Sequence, residues 1–117
     1  MVLLKNFHHE PRPFWINPEI KTPVCYTEFG NPSGHSLGAA FFAMYIWHRW
    51  IYMPLTNADD EEYESFSKLS SNHRKLIKCL SFVFLTFAYL LMGFSRFALG
   101  AHSANQIIYG FILGLWS

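Results

Sequence analysis

The apolar run from Leu76 to Phe94 limits this chain more than any other stretch. Its centre, Phe82-Val83-Phe84-Leu85-Thr86-Phe87-Ala88-Tyr89-Leu90-Leu91-Met92, holds no charge, and an uncharged run of this kind predicts a membrane-spanning helix. His73-Arg74-Lys75 opens it on the polar side. A second candidate span runs from Ser36 to about Leu55. At about 1.5 Å per residue, about 20 residues reach about 30 Å, the thickness of a hydrocarbon core. His48-Arg49 interrupts this span, so Arg49 has to reach an interface or a polar partner. A polar break is expected from Ser95-Arg96 through His102-Ser103. A third apolar run starts near Asn105 and is cut short at Ser117. The expected fold class is all-α, a multi-pass transmembrane helical bundle with two full membrane helices and one truncated one. Gly93, Gly100, Gly110 and Gly114 suit close helix packing in such a bundle.

Composition agrees with a membrane chain. Residues are 51% hydrophobic and 15% charged, too apolar for an ordinary small soluble domain. The net charge of +1 comes without a basic stripe, which argues against nucleic acid as a partner. Two cysteines make neither a disulfide framework nor a Cys-rich zinc site, and Cys25 and Cys79 are expected at opposite ends of the helices. No His-x3-His or Cys-x2-Cys spacing occurs, so no metal site is predicted. Five prolines between Pro11 and Pro32 forbid a long helix before residue 32, and Phe14-Trp15 suits a membrane interface. Trp15, Trp47, Trp50 and Tyr52 read as interface anchors, His8 and His9 as solvated loop residues or as lining of a site beside Lys5 and Arg12, and His48 and His73 as interfacial residues. Thr56 to Asn72, with Asp59, Asp60, Glu61, Glu62 and Glu64, reads as a wet loop or short surface helix. Met1 to Leu4 is too short an apolar run for a signal peptide. The abrupt start and the end inside an apolar run predict a fragment.

At Asn31-Pro32-Ser33-Gly34-His35-Ser36 a helix-breaking loop meets a long apolar run. Pro32 cannot sit inside a helix, Gly34 lets the backbone approach a ligand, and unpaired N–H groups should gather around Ser33 to His35. Such a helix start attracts phosphate, and a histidine there can exchange a proton with it. A serine capping an ordinary helix accounts for the same residues. Two crossings in opposite directions would bring Ser33-Gly34-His35, Ser95-Arg96 and His102 to one face. Away from the candidate anion ligands, Arg49, Lys68, Arg74, Lys75 and Lys78 belong to the other side and Lys21 to the first. The positive-inside rule then predicts a cytosolic far loop and a luminal or extracellular site.

Three groups of residues carry a resemblance: Lys5 followed by Arg12-Pro13; Pro32-Ser33-Gly34-His35; and Ser95-Arg96 followed by His102. In order and spacing they resemble the three motifs of the phosphatidic acid phosphatase type 2 and vanadium haloperoxidase superfamily, which includes glucose-6-phosphatase. The resemblance spans residues 1–117 as a partial catalytic core whose upstream helices are missing. It implies an integral membrane phosphoric monoester hydrolase that needs no metal or other cofactor and acts on a lipid or sugar phosphate such as glucose 6-phosphate. Lys5, Arg12 and Arg96 would bind the phosphoryl oxygens, with backbone N–H groups at Ser33 and Gly34. His102 would be the nucleophile that forms a phosphohistidine, and His35 the acid for the leaving oxygen. The positive end of the following helix is expected to keep His102 neutral.

Four residues after His102 the broader pattern has Asp, whereas this chain has Gln106. A Gln carbonyl can hold the ring's tautomer but adds no charge. Glucose-6-phosphatase-like members share this Gln and also carry aromatic residues after Arg-Pro. The resemblance further implies a lipid bilayer as partner, residence in the endoplasmic reticulum or another endomembrane, and no settled oligomeric state. Two alternatives stand beside it: an inactive membrane fragment that only packs or dimerises, and a vanadate-dependent haloperoxidase, whose relatives are mostly soluble.

Overall fold

The computed structural model describes residues 2–23, 26–57 and 64–117. Among these the chain is helical, with no strand. Cys25 and the acidic run Asp59 to Glu62 lie outside the described residues. The contacts group the chain into two units, Met1–Phe41 with Tyr89–Ser117, and Phe42–Ala88.

In the first unit the proline-rich start is not wholly loop. Helix α1, Val2–His8, ends before the first proline, Pro11, and the single turn α2, Pro13–Ile16, fits between Pro11 and Pro18. Both are short, as the prolines require. Pro13 takes the first helical position of α2, where its missing N–H costs nothing. Helix α3, Gly34–Ile46, begins two residues before the expected start at Ser36. Ser33 caps it: its Oγ accepts from Ser36 Oγ at 2.9 Å and from Ser36 N at 3.4 Å.

Helix α7, Ala104–Trp116, packs its glycines on the start of α3. A Cβ on Gly110 would lie 2.6 Å from the Ser33 carbonyl oxygen and 3.1 Å from Ser36 Cβ, and one on Gly114 would meet the Leu37 carbonyl oxygen and Ala40. The Gly110-x3-Gly114 spacing puts both on one helix face, so the two backbones touch. On another face of α7, Phe111 packs edge-to-face on Tyr89 with ring centroids 5.2 Å apart and also covers Gly93.

The Ser36 to Leu55 span, which enters the second unit at Phe42, is helical but not uniform. After α3 comes a π-helical segment, Trp47–Tyr52, and then α4, Met53–Thr56. His48 and Arg49, the residues that interrupt the apolar run, fall inside the π segment, where His48 stacks on Tyr52. A wider turn of this kind is a local change of register inside a helix. Trp47 Nε1 donates to the Lys78 carbonyl at 3.1 Å, and its ring packs on Phe82. The polar stretch that follows contains one described turn, α5, Glu64–Ser67.

Helix α6, Ser71–Ala98, has 28 residues and runs further at both ends than the apolar stretch from Leu76 to Phe94. Ser95 and Arg96 therefore do not begin a polar break: they form its last turn, where a cation suits the carbonyl end of the helix dipole. The chain leaves the helix only after Ala98. At about 1.5 Å per residue α6 is about 42 Å long, and it has the length and composition to cross a membrane. Its large apolar side chains, including Leu80, Val83, Phe84, Phe87, Leu91 and Phe94, stand exposed. Water would not tolerate an apolar face of that extent, and lipid would.

Candidate active site

The site is built within the first unit, and it begins at the corner between α6 and α7. Ala101 N donates to the Arg96 carbonyl at 3.1 Å and Gly100 N to the Phe97 carbonyl at 2.9 Å. With Gly100 at φ 63° this is a Schellman turn, which needs a left-handed residue at that place. Two residues later Ser103 caps α7 in a reciprocal capping box with Gln106. The stop of one helix and the start of the next thus set the distance in sequence from Arg96 to His102. They also leave His102 buried, at 3% exposure.

Arg12 approaches from the other end of the sequence. Preceding a proline, it is held extended at φ −79° and ψ 152°, and its side chain is buried. Nε donates to the Glu28 carbonyl at 2.8 Å and Nη1 to the Ala101 carbonyl at 3.0 Å. The guanidinium carbon lies 4.2 Å from the centre of the Tyr26 ring. Nη1 is also 3.2 Å from His102 Nε2. A guanidinium only donates, so Nε2 accepts and the ring proton is assigned to Nδ1. Nδ1 donates to Gln106 Oε1 at 3.3 Å.

Gln106 is held at every polar atom. Oε1 also accepts from Ser103 N at 3.2 Å, and Nε2 donates to the Pro11 carbonyl at 2.9 Å and to Glu10 Oε2 at 3.5 Å. The Gln106 backbone carbonyl accepts from Ser33 N at 3.0 Å. That bond departs from the expected role of the Ser33 N–H as a phosphate donor: it joins the starts of α3 and α7 instead. Gly34 lies on the wall of the adjoining cavity.

This cavity, about 520 Å³, is lined by Lys5, Tyr26, Thr27, Glu28, Gly34, His35 and His102. Lys5, on α1, is ion-paired with the Glu28 carboxylate. Arg96 donates from Nη1 to the Tyr26 hydroxyl at 3.3 Å, and its Nε is buried without a hydrogen-bond partner. An anion would satisfy such a donor. His8 and His9 are not on the wall; their rings pack against Tyr109 and Phe29. Among the described residues no three His, Cys, Asp or Glu side chains converge as metal ligands do.

Burial and then the charge of Arg12 push the His102 pKa down to about 4, against smaller upward effects from the hydrogen bonds to Gln106 and to the Gly30 backbone. The ring is neutral at physiological pH. Burial and Arg12 thus act in the direction expected of the α7 helix start. Burial lowers the His35 pKa too, followed by the charges of Arg96, Lys5 and Arg12. All three cations named from the sequence therefore act on His35.

Tyr26 and Glu28 were not legible in the sequence, because their partners Arg96 and Lys5 are 70 and 23 residues away. The capping box had a visible signal, Ser103 with a Gln three residues on.

The chain as a whole is similar to known proteins. The sequence pattern of the PAP2 superfamily matches residues 1–117. Among curated proteins no sequence matches significantly. Among solved structures the chain is similar to a transmembrane PAP2-type phosphatidylglycerolphosphate phosphatase from Bacillus subtilis, with 25% identity and a TM-score of 0.60. That match covers 97% of this chain and 45% of the other, so the chain spans less than half the length of its structural relative.

Proposed function

Because this chain belongs to the PAP2 superfamily, we propose that it is the catalytic core of an integral membrane phosphatase that hydrolyses a phosphomonoester through a phosphohistidine. One observation carries the reading. A neutral imidazole, its Nδ1 proton held by Gln106 and its Nε2 lone pair beside a guanidinium, shares a cavity with a second histidine and a lysine.

The steps follow from that arrangement. Lys5, Arg12 and Arg96, with the Gly34 N–H, hold the phosphoryl oxygens, so three cationic side chains meet the charge that phosphoryl transfer gathers there. Arg12 Nη1 turns from Nε2 to a phosphoryl oxygen as substrate enters, which frees the lone pair. Nε2 then attacks phosphorus, the bond to the ester oxygen breaks, and His35 gives that oxygen its proton. Gln106 keeps the ring oriented while it becomes cationic. Water next attacks the phosphohistidine, with His35 now taking the proton, and orthophosphate leaves. The reading calls on no metal.

Both the family and the Bacillus subtilis phosphatase support a phosphomonoester substrate. Gln106 and the aromatic pair Phe14-Trp15 support a glucose-6-phosphatase-like member, and hence a sugar phosphate. The basic residues Arg49, Lys68, Arg74, Lys75 and Lys78 support a cytosolic far loop and a site facing the lumen of an endomembrane or the cell exterior.

Rapid-quench labelling with a radioactive phosphate ester tests the chemistry. The parent chain is expected to trap an acid-labile, alkali-stable phosphoprotein, and His102→Ala to trap none. His35→Ala should slow turnover but still label from an ester with a good leaving group. Equal labelling of His102→Ala and the parent would reject His102 as nucleophile.

A further inference from the structure

Among the residues that line the His102 cavity, Glu28 carries the one carboxylate. It is bonded to Lys5, one of the groups assigned above to the phosphoryl oxygens. The two partners are held very differently: the Lys5 side chain is 10% exposed and that of Glu28 61% exposed. Arg12 anchors the Glu28 backbone through its carbonyl at 2.8 Å, whereas the exposed carboxylate is bonded to Lys5. Lys5 is thus fixed in the wall, and Glu28 is the partner able to swing away.

Resting on the phosphatase reading, we propose that Glu28 sets the affinity of the site for phosphate: its carboxylate is the counter-ion of Lys5 in the empty site and gives Lys5 up when a phosphoryl group enters. A carboxylate and a phosphoryl oxygen present the same chemistry to an ammonium group, and both cannot stay on it, because like charges in contact repel. The hydrogen bond from Lys5, then its charge and that of Arg12, hold the Glu28 carboxyl below the usual carboxylate range, so it is ionised when phosphate arrives. Each substrate or product anion has to displace this internal anion. The displacement weakens binding of substrate and orthophosphate alike and hastens the departure of orthophosphate after the phosphohistidine is hydrolysed.

A merely structural ion pair predicts the opposite sign. If Glu28 only pinned Lys5 in place, removing it would loosen Lys5 and weaken phosphate binding. The test is calorimetric titration of the full chain in detergent micelles with inorganic phosphate, at fixed ionic strength and neutral pH. Glu28→Gln and Glu28→Ala are both expected to bind phosphate about twofold to fivefold more tightly than the parent, the upper part of the range for a charge pair at a solvent-accessible position. In a Lys5→Met background the same Glu28 substitutions should change the affinity much less, since the effect runs through Lys5. Unchanged or weaker phosphate binding by both Glu28 variants, with the helical circular dichroism of the parent, would overturn the inference. A parent chain that binds no phosphate at all would reject the phosphatase reading itself, and the role of Glu28 with it.

Discussion

His102 and His35 are both pushed toward the neutral form, but the reaction proposed above needs them in opposite states. For the proposed nucleophile, neutrality is the working condition, and His102 keeps it down to about pH 4. For the proposed acid, neutrality is a handicap, which the arriving phosphate dianion offsets by favouring the protonated ring. The pH profiles should record this split. In kcat/KM, which reports the free enzyme, the acid limb is expected near pH 4, and the alkaline limb should fall below the ordinary histidine value of about 6.5. In kcat, which reports the bound complex, the alkaline limb should move to higher pH. Alkaline limbs at the same pH in both profiles would separate His35 from the proton donated to the leaving group. The lowered His102 pKa also bears on stability, and the sign follows from proton binding. The unfolded chain takes up a proton near pH 6.5 that the fold refuses until about pH 4, so this residue makes the protein less stable as pH falls through that window.

At the scale of elements, the corner between α6 and α7 turns helix termination into site geometry. The Schellman turn ends α6 just after Arg96, and the capping box starts α7 just after His102. Gly100→Ala should therefore harm both stability and function. An L-residue in the left-handed region costs about 1 to 2 kcal/mol, and a Cβ at this place would also collide with Ile20. Denaturant unfolding in detergent should show the loss, and phosphate titration a weakened site. The sequence showed α6 because an uncharged apolar run needs no partner to be read. It did not show where α6 stops, because Arg96 reads as a polar break until the favourable place of a cation in a last turn is considered. The π-helical segment around Arg49 was illegible for another reason: it is a change of hydrogen-bond register, and no periodicity in side-chain type marks it. Lys5, Arg12, His35 and His102 could be named from motif spacing. Tyr26, which joins Arg12 to Arg96, could not, since its partner Arg96 is 70 residues away and Arg12 belongs to a separate motif.

On the scale of the whole molecule, the exposed apolar face of α6 and the biased placement of lysine and arginine make a claim about sidedness. An engineered glycosylation sequon near residue 20 is expected to be modified in microsomes, and one near residue 65 to remain unmodified. The reverse pattern would invert the proposed orientation and place the proposed phosphatase site in the cytosol.

The crowding of Gly30 against Gln106 extends from geometry into heredity. A Cβ on Gly30 would come within 2.6 Å of Gln106 Nε2, while Asp, one methylene shorter, would leave that space open. Positions 30 and 106 are therefore not free to drift separately. Gly30→Ala alone should slow turnover about tenfold to a hundredfold by displacing the amide that orients His102, and Gly30→Ala combined with Gln106→Asp should recover part of it. The amide that orients His102 is thus tied to the absence of a side chain at position 30, so a change at either position is expected to alter what the other tolerates.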